Sequence, residues 1–317
     1  MQVDALTRKS SLPAILLFLL IVVGALIRAT NNPLGVEVAE FAFRERTISF
    51  ILAAMVLCAT SLVVGRLFMR TELSKSFCTL PIPVFGVLAY GIAVPPHLLT
   101  SSVAALLFAL ALLLLCQSIG NADERNSIFV GALLLGAMPL LNPSYITLVA
   151  TLPLVALLFT LSARQIFIMV VGYLLPLFTA SYVVWYGGGE ITDVAENIIG
   201  RLSTYLDLSS EVTPFGAIVL TAWCAVIALW GIIYSIIKPN KMFLVARVRR
   251  TLYLFLLLAL LLAATLFAPC CGLSILPVFG VVGAVLISFA LSLLPTREST
   301  IAYWILLVLF VVHLFFE

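Results

Sequence analysis

Long apolar runs almost free of ionisable side chains recur from one end of the chain to the other. A helix rises about 1.5 Å per residue, so about 20 such residues, or as few as about 17, cross the roughly 30 Å of hydrocarbon in a bilayer. Applied to this chain, that rule predicts spans over 11–27, 47–65, 77–94, 98–119, 127–141, 145–161, 166–186, 214–237, 251–268, 273–294 and 301–316. The expected fold class is therefore an all-α polytopic bundle of about eleven spans, nine if two are not complete crossings, forming a single transmembrane domain over residues 1–317. The fifth run has only 15 residues, and Asn142, Pro143 and Ser144 alone separate it from the sixth, so that pair reads either as two spans or as a re-entrant hairpin.

Composition closes the alternatives. The chain is 63% hydrophobic and 10% charged, against about 25% charged in an average soluble domain. A mean hydropathy of +1.24 also excludes a disordered chain, which needs low hydrophobicity and high charge. Six cysteines lie in or beside apolar runs, the vicinal pair Cys270 and Cys271 is poorly placed to bond with itself, and there is no CxxC. Neither a disulfide framework nor a cysteine metal site is expected.

The 17 basic and 14 acidic residues are too balanced and too scattered for a nucleic-acid partner, yet their placement sets an orientation. With eleven spans and a cytoplasmic N-terminus, 13 bases fall in inner loops and four in outer loops (Arg28, Arg44, Arg46 and Arg201). This is the positive-inside distribution, and a hairpin at 127–161 would not change it. The first run is expected to be an uncleaved helix rather than a signal peptide, being long and lacking a clear small-x-small site after it. The basic inner loop 238–250 reads first as a topogenic segment, with the capacity to hold anionic lipid headgroups.

Polar chemistry then has few places to reside. Buried carboxylates or bases at mid-membrane depth, the marks of a proton relay or ion-coupled pump, are missing from the runs. His97, in a Pro-Pro-His turn, and His313, near the end of the last run, read as interfacial. The two outer loops, 28–46 and 187–213, are the candidates. In the first, 36–46 reads as a short helix with Glu37, Glu40 and Arg44 on one face. The second carries Glu190, Asp193, Glu196, Asp207 and Glu211 against the single base Arg201. Its Val194, Ile198, Leu202 and Tyr205 recur at helical spacing, which predicts an amphipathic helix over Asp193–Leu206 lying on the outer membrane surface. Asp193 and Glu196 have the spacing of a capping box, and Gly187, Gly188 and Gly189 allow a sharp turn before it. These acids would serve as a general base or as divalent-metal ligands, or would simply be a solvated loop. No metal and no cofactor is specified by the pattern. Gly131, Gly136, Gly280 and Gly283 permit close helix approach. There is no Walker loop, GxSxG, HExxH or dinucleotide fingerprint.

One stretch carries a resemblance. Gly131 and Gly136, then Asn142-Pro143-Ser144, an apolar run, Arg164-Gln165, Gly172 and Pro176, and an aromatic end at Trp185-Tyr186 resemble an uncharacterised family of roughly 300-residue polytopic inner-membrane proteins from Bacteroidota, over about 47–186. The same layout looks like the membrane core of GT-C glycosyltransferases, which move sugars from polyprenyl-phosphate carriers at the outer face. That resemblance implies a bacterial inner-membrane location and polyprenyl-phosphate lipids as partners. It implies Glu37 or Glu40 as the essential acid of the first outer loop, and Arg44 or Arg201 pairing with a phosphate. An Asp is more usual at that acid, the loop has only 19 residues, and the large soluble C-terminal domain of many such enzymes is absent. The competing expectations are a non-enzymatic membrane subunit that holds a membrane-protein partner in an envelope assembly, and an uncoupled lipid or solute transporter.

Overall fold

The computed structural model describes residues 46–70, 79–90, 98–117, 125–158, 161–206, 275–294 and 296–316, together with 18–19, 22–23, 222–223, 225–227 and 229–230. The described residues are helical with no strand. In order they form α1 (Arg46–Arg70), α2 (Pro81–Tyr90), α3 (Leu98–Gln117), α4 (Arg125–Leu141), a 3₁₀ segment (Pro143–Ala150), α5 (Thr151–Leu158), α6 (Ala163–Tyr186), α7 (Asp193–Leu206), α8 (Leu276–Leu293) and α9 (Thr296–Phe316). Three stretches within these helices, Ile51–Met69, Leu98–Gln117 and Ala163–Tyr186, are long and apolar enough to cross a membrane.

The core forms around the two helices that are apolar on every side. Residues 81–89 of α2 and 280–291 of α8 are buried throughout, as expected of a helix without a polar face. α8 packs mainly on α2 and also on α3 and α1, and α1 lies along α3. A Cβ at Gly280 would sit 3.1 Å from the Ala89 backbone nitrogen, so glycine sets how closely α2 and α8 meet. Phe18 stacks on Phe85 of α2 at 6.4 Å, which joins part of the expected first span to the same core. Trp223, within the expected eighth span, donates from Nε1 to the Ala302 carbonyl of α9 at 3.4 Å. α3 continues outward to α4, and α4 to α6.

Polar side chains within this core are mostly satisfied by their own helix, as a medium without water requires. Thr60 donates to Val56 O at 2.8 Å, Ser102 to Leu98 O at 2.6 Å, and Thr151 to Leu148 O at 2.7 Å. Ser61 and Ser101 also bond to carbonyls of their own helices.

Helix ends follow local chemistry more closely than hydropathy does. α6 starts at Ala163, three residues before the predicted apolar run. The reason is a capping box: Gln165 N donates to Ser162 Oγ, while Ser162 N donates to Gln165 Oε1 at 2.9 Å. α8 ends as Leu294 turns extended, with φ −66° and ψ 153°; Pro295 follows, and a residue before proline is steered away from the helical region. The expected span 145–161 is two elements, a 3₁₀ segment and α5. Set in one line, these 16 residues would rise about 28 Å. Of the expected span 214–237 only residues 222–223, 225–227 and 229–230 are described, and 251–268 lies outside the described residues.

Candidate functional site

The described part of the candidate site is built from α4, the 3₁₀ segment, α6 and α7. α4 and α6 meet at glycines. A Cβ at Gly136 would overlap the carbonyl oxygen of Tyr173, and one at Gly172 would lie 2.7 Å from the carbonyl oxygen of Phe129. Each glycine thus brings its backbone against a carbonyl of the other helix, the geometry in which Cα–H groups face carbonyl oxygens. Gly131 makes a looser contact of the same kind with Leu115 and the Ala111 carbonyl of α3.

This seam is narrow. In α6 only Met169, Gly172 and Tyr173 are buried, and just 17% of the helix's apolar window is covered by the protein, against 61% for α3. From 174 to 186 no residue is buried. Phe178, Tyr182, Val183 and Tyr186 are each at least 60% exposed, and Tyr182 lies 5.8 Å from Trp185, ring centre to ring centre. An aromatic end of this kind suits the membrane–water boundary. Tyr173 itself is buried, and its hydroxyl has no hydrogen-bond partner among the described residues.

The turn out of α6 is tied back to the helix. Gly187 N donates to Val183 O, Gly188 N to Trp185 O and Gly189 N to Val184 O, at 3.0 to 3.1 Å. Gly188 takes φ +92°, the left-handed region where a side chain is disfavoured. α7 then occupies Asp193–Leu206, the same residues that the periodicity predicts. Its Asp193 carboxylate accepts from the backbone N–H of Glu190 at 2.8 Å, so Asp193 reaches back into the preceding turn. α7 packs on α6 and on the 3₁₀ segment, and Ile198 is buried. Of the apolar stripe's residues whose side chains are described, Ile198 is buried and Val194 half-buried. Ile191 and Ile199 are the exposed apolar groups, at 59% and 64%.

These contacts fix a direction. α7 follows α6 and the 3₁₀ segment follows α4, so their contact places the C-terminal ends of α4 and α6 at one end of the molecule. The two helices run parallel, and the chain between them returns.

Of the residues assigned to chemistry from the sequence, Glu37, Glu40 and Arg44 lie outside the described residues. Arg201 is placed by its backbone on α7, three residues beyond Ile198. Of the acids of the second loop, Glu190 and Glu196 are exposed and Asp193 is engaged with the backbone, while Asp207 and Glu211 lie outside the described residues. Among the described residues no three His, Cys, Asp or Glu side chains come together to hold a metal ion. Sequence reasoning missed Tyr173 and the Ser162 capping box. The second was readable as Ser-x-x-Gln before an apolar run, whereas nothing local marks which tyrosine is buried without a partner.

No protein-family model, curated protein or solved structure matches this chain. The fold and the site define an all-α protein whose described part includes three helices able to cross a membrane, with a peripheral arm, α6, and a surface helix at the arm's end.

Proposed function

We propose that the protein is a non-enzymatic membrane subunit that holds a partner membrane protein through the outer half of α6 and the exposed side of α7. One observation supports this reading: residues 174–186 form a helical arm that buries no residue within the protein, although it carries Phe178, Tyr182, Trp185 and Tyr186. Large aromatic side chains dominate interface energetics. The assembly we have in mind is an envelope complex of a bacterial inner membrane. A photo-crosslinking residue placed at Phe178 or at Val183 should capture one defined protein band from native membranes, and adducts with lipid alone would overturn the reading.

The second reading is GT-C-like handling of polyprenyl-linked sugars at the outer face, with Glu37 or Glu40 as base or metal ligand and Arg44 or Arg201 on a phosphate. It is supported by the resemblance itself, which spans α4 and α6, two helices packed on each other. Its test is mass spectrometry of lipids that co-purify with the protein and with the Glu37→Gln, Glu40→Gln double variant. A polyprenyl-phosphate or polyprenyl-sugar retained by the first and lost from the second is expected; bulk phospholipid alone in both would sink it.

A further inference from the structure

Between Arg125 and Glu190 the chain holds a single charged residue, Arg164. It is the second residue of α6 and is exposed. The acid nearest to it in the sequence is Glu190, which lies beyond the opposite end of the same helix. Arg125 opens α4 at the same end, since the two helices run parallel, but Asp123 and Glu124 precede it in the sequence. Arg164 is thus the base with no acid close by along the chain. A guanidinium at the head of an apolar helix calls for an anion, and neither α4 nor α6 contains one.

Arg164 also heads a stripe. Phe167, Val171, Phe178, Tyr182 and Trp185 follow it at intervals of 3, 4, 7, 4 and 3 residues, which places them on one side of α6. All five are exposed, from 39% at Val171 to 69% at Phe167. The buried residues Met169, Gly172 and Tyr173 fall on the other side of the helix, the side of the seam with α4. At about 1.5 Å per residue, Trp185 stands about 32 Å along the helix from Arg164, close to the roughly 30 Å of hydrocarbon in a bilayer. The order of side chains is the one a lipid-facing helix needs: a cation at one headgroup level, apolar groups between, and Tyr and Trp at the other boundary.

We propose that the Arg164 end of this stripe is a seat for an anionic phospholipid, with the guanidinium on the headgroup phosphate and an acyl chain along Phe167 and Val171. Charge complementarity selects the occupant. A guanidinium holds a phosphate through two parallel N–H···O bonds, and a headgroup that is anionic overall is preferred to a zwitterionic one, which brings a cation of its own. The exposed apolar surface that follows Arg164 distinguishes a lipid from free phosphate, which would leave Phe167 and Val171 uncovered. The seat lies before Leu174, apart from the half of α6 on which we place a partner protein, and it stands whether or not such a partner docks.

Photo-crosslinking of the full chain, reconstituted in vesicles of equal parts phosphatidylglycerol and phosphatidylcholine, tests this. A photoreactive residue at Phe167 should give lipid adducts in which, by mass spectrometry, phosphatidylglycerol exceeds phosphatidylcholine about fivefold, the ratio equivalent to ~1 kcal/mol for one basic residue at an anionic surface. Arg164→Gln should bring that ratio to about one, and Arg164→Lys, which keeps the charge, should retain most of the preference. The same photoreactive residue at Phe178, on the same stripe but about 21 Å from Arg164, should show no preference in any variant. Added inorganic phosphate should leave the ratio at Phe167 unchanged. Equal adducts at Phe167 in the otherwise unaltered protein, or a preference that survives Arg164→Gln, would overturn the seat. So would a preference at Phe178 as strong as that at Phe167, or adducts with a second copy of the chain in place of lipid. Loss of the preference on adding phosphate would assign Arg164 to a free anion and overturn the lipid.

Discussion

At the scale of single residues, the glycines of this protein divide by what stands opposite them. Gly136 faces a backbone carbonyl that cannot give way, so Gly136→Ala should part α4 from α6 and destabilise the protein by about 1 to 3 kcal/mol, the usual range for overpacking. Gly200, in α7, has open space where its Cβ would be. Gly200→Ala should stabilise by up to about 1 kcal/mol through helix propensity. The two variants should shift the thermal midpoint in detergent in opposite directions, and a shared sign would refute the seam. Tyr173 allows a sharper test. A buried hydroxyl without a partner costs roughly 1 to 3 kcal/mol, so Tyr173→Phe should be neutral or stabilising. A clear loss of stability would show that the hydroxyl is bonded.

At the scale of elements, the helix starts differ in how they are fixed. α6 begins at the reciprocal Ser162 and Gln165 bonds, and Ser162→Ala should cost about 0.5 to 2 kcal/mol, seen as faster amide exchange in the first turn of α6. α7 has no such box: the carboxylate of Asp193 turns back to the N–H of Glu190, although its spacing to Glu196 suggested one. Spacing alone could not distinguish the two sites, because a cap depends on whether the chain before it is extended. It is at Ser162, where ψ is 156°. The bounds of α7 were legible for a different reason. Val194 and Ile198 recur on one face while the acids stay off it, a pattern that only a helix satisfies.

For the whole molecule, the parallel course of α4 and α6 makes a topological prediction. Set in one line, the 16 residues from Pro143 to Leu158 would rise about 28 Å, close to the thickness of the hydrocarbon layer. Single cysteines at Asn126 and Ser162 should therefore react with an impermeant thiol reagent from one side of the membrane, and a cysteine at Glu190 from the other. Labelling of Ser162 and Glu190 variants from the same side would rule out this arrangement of α6.

The apolar runs by themselves determined that the chain is helical and suited to a membrane, because a backbone in hydrocarbon must satisfy its own hydrogen bonds and a helix does so within one segment. They also placed α1, α3, α6 and α8 to within a few residues. Which helix faces which was beyond them. The all-round apolarity of α2 and α8 agrees with their central place, but an apolar side chain is equally content against lipid or against another helix, so hydropathy does not say which helices those two pack on or that α6 is peripheral. The tertiary structure decided that through the glycines, whose missing side chains let particular backbones touch.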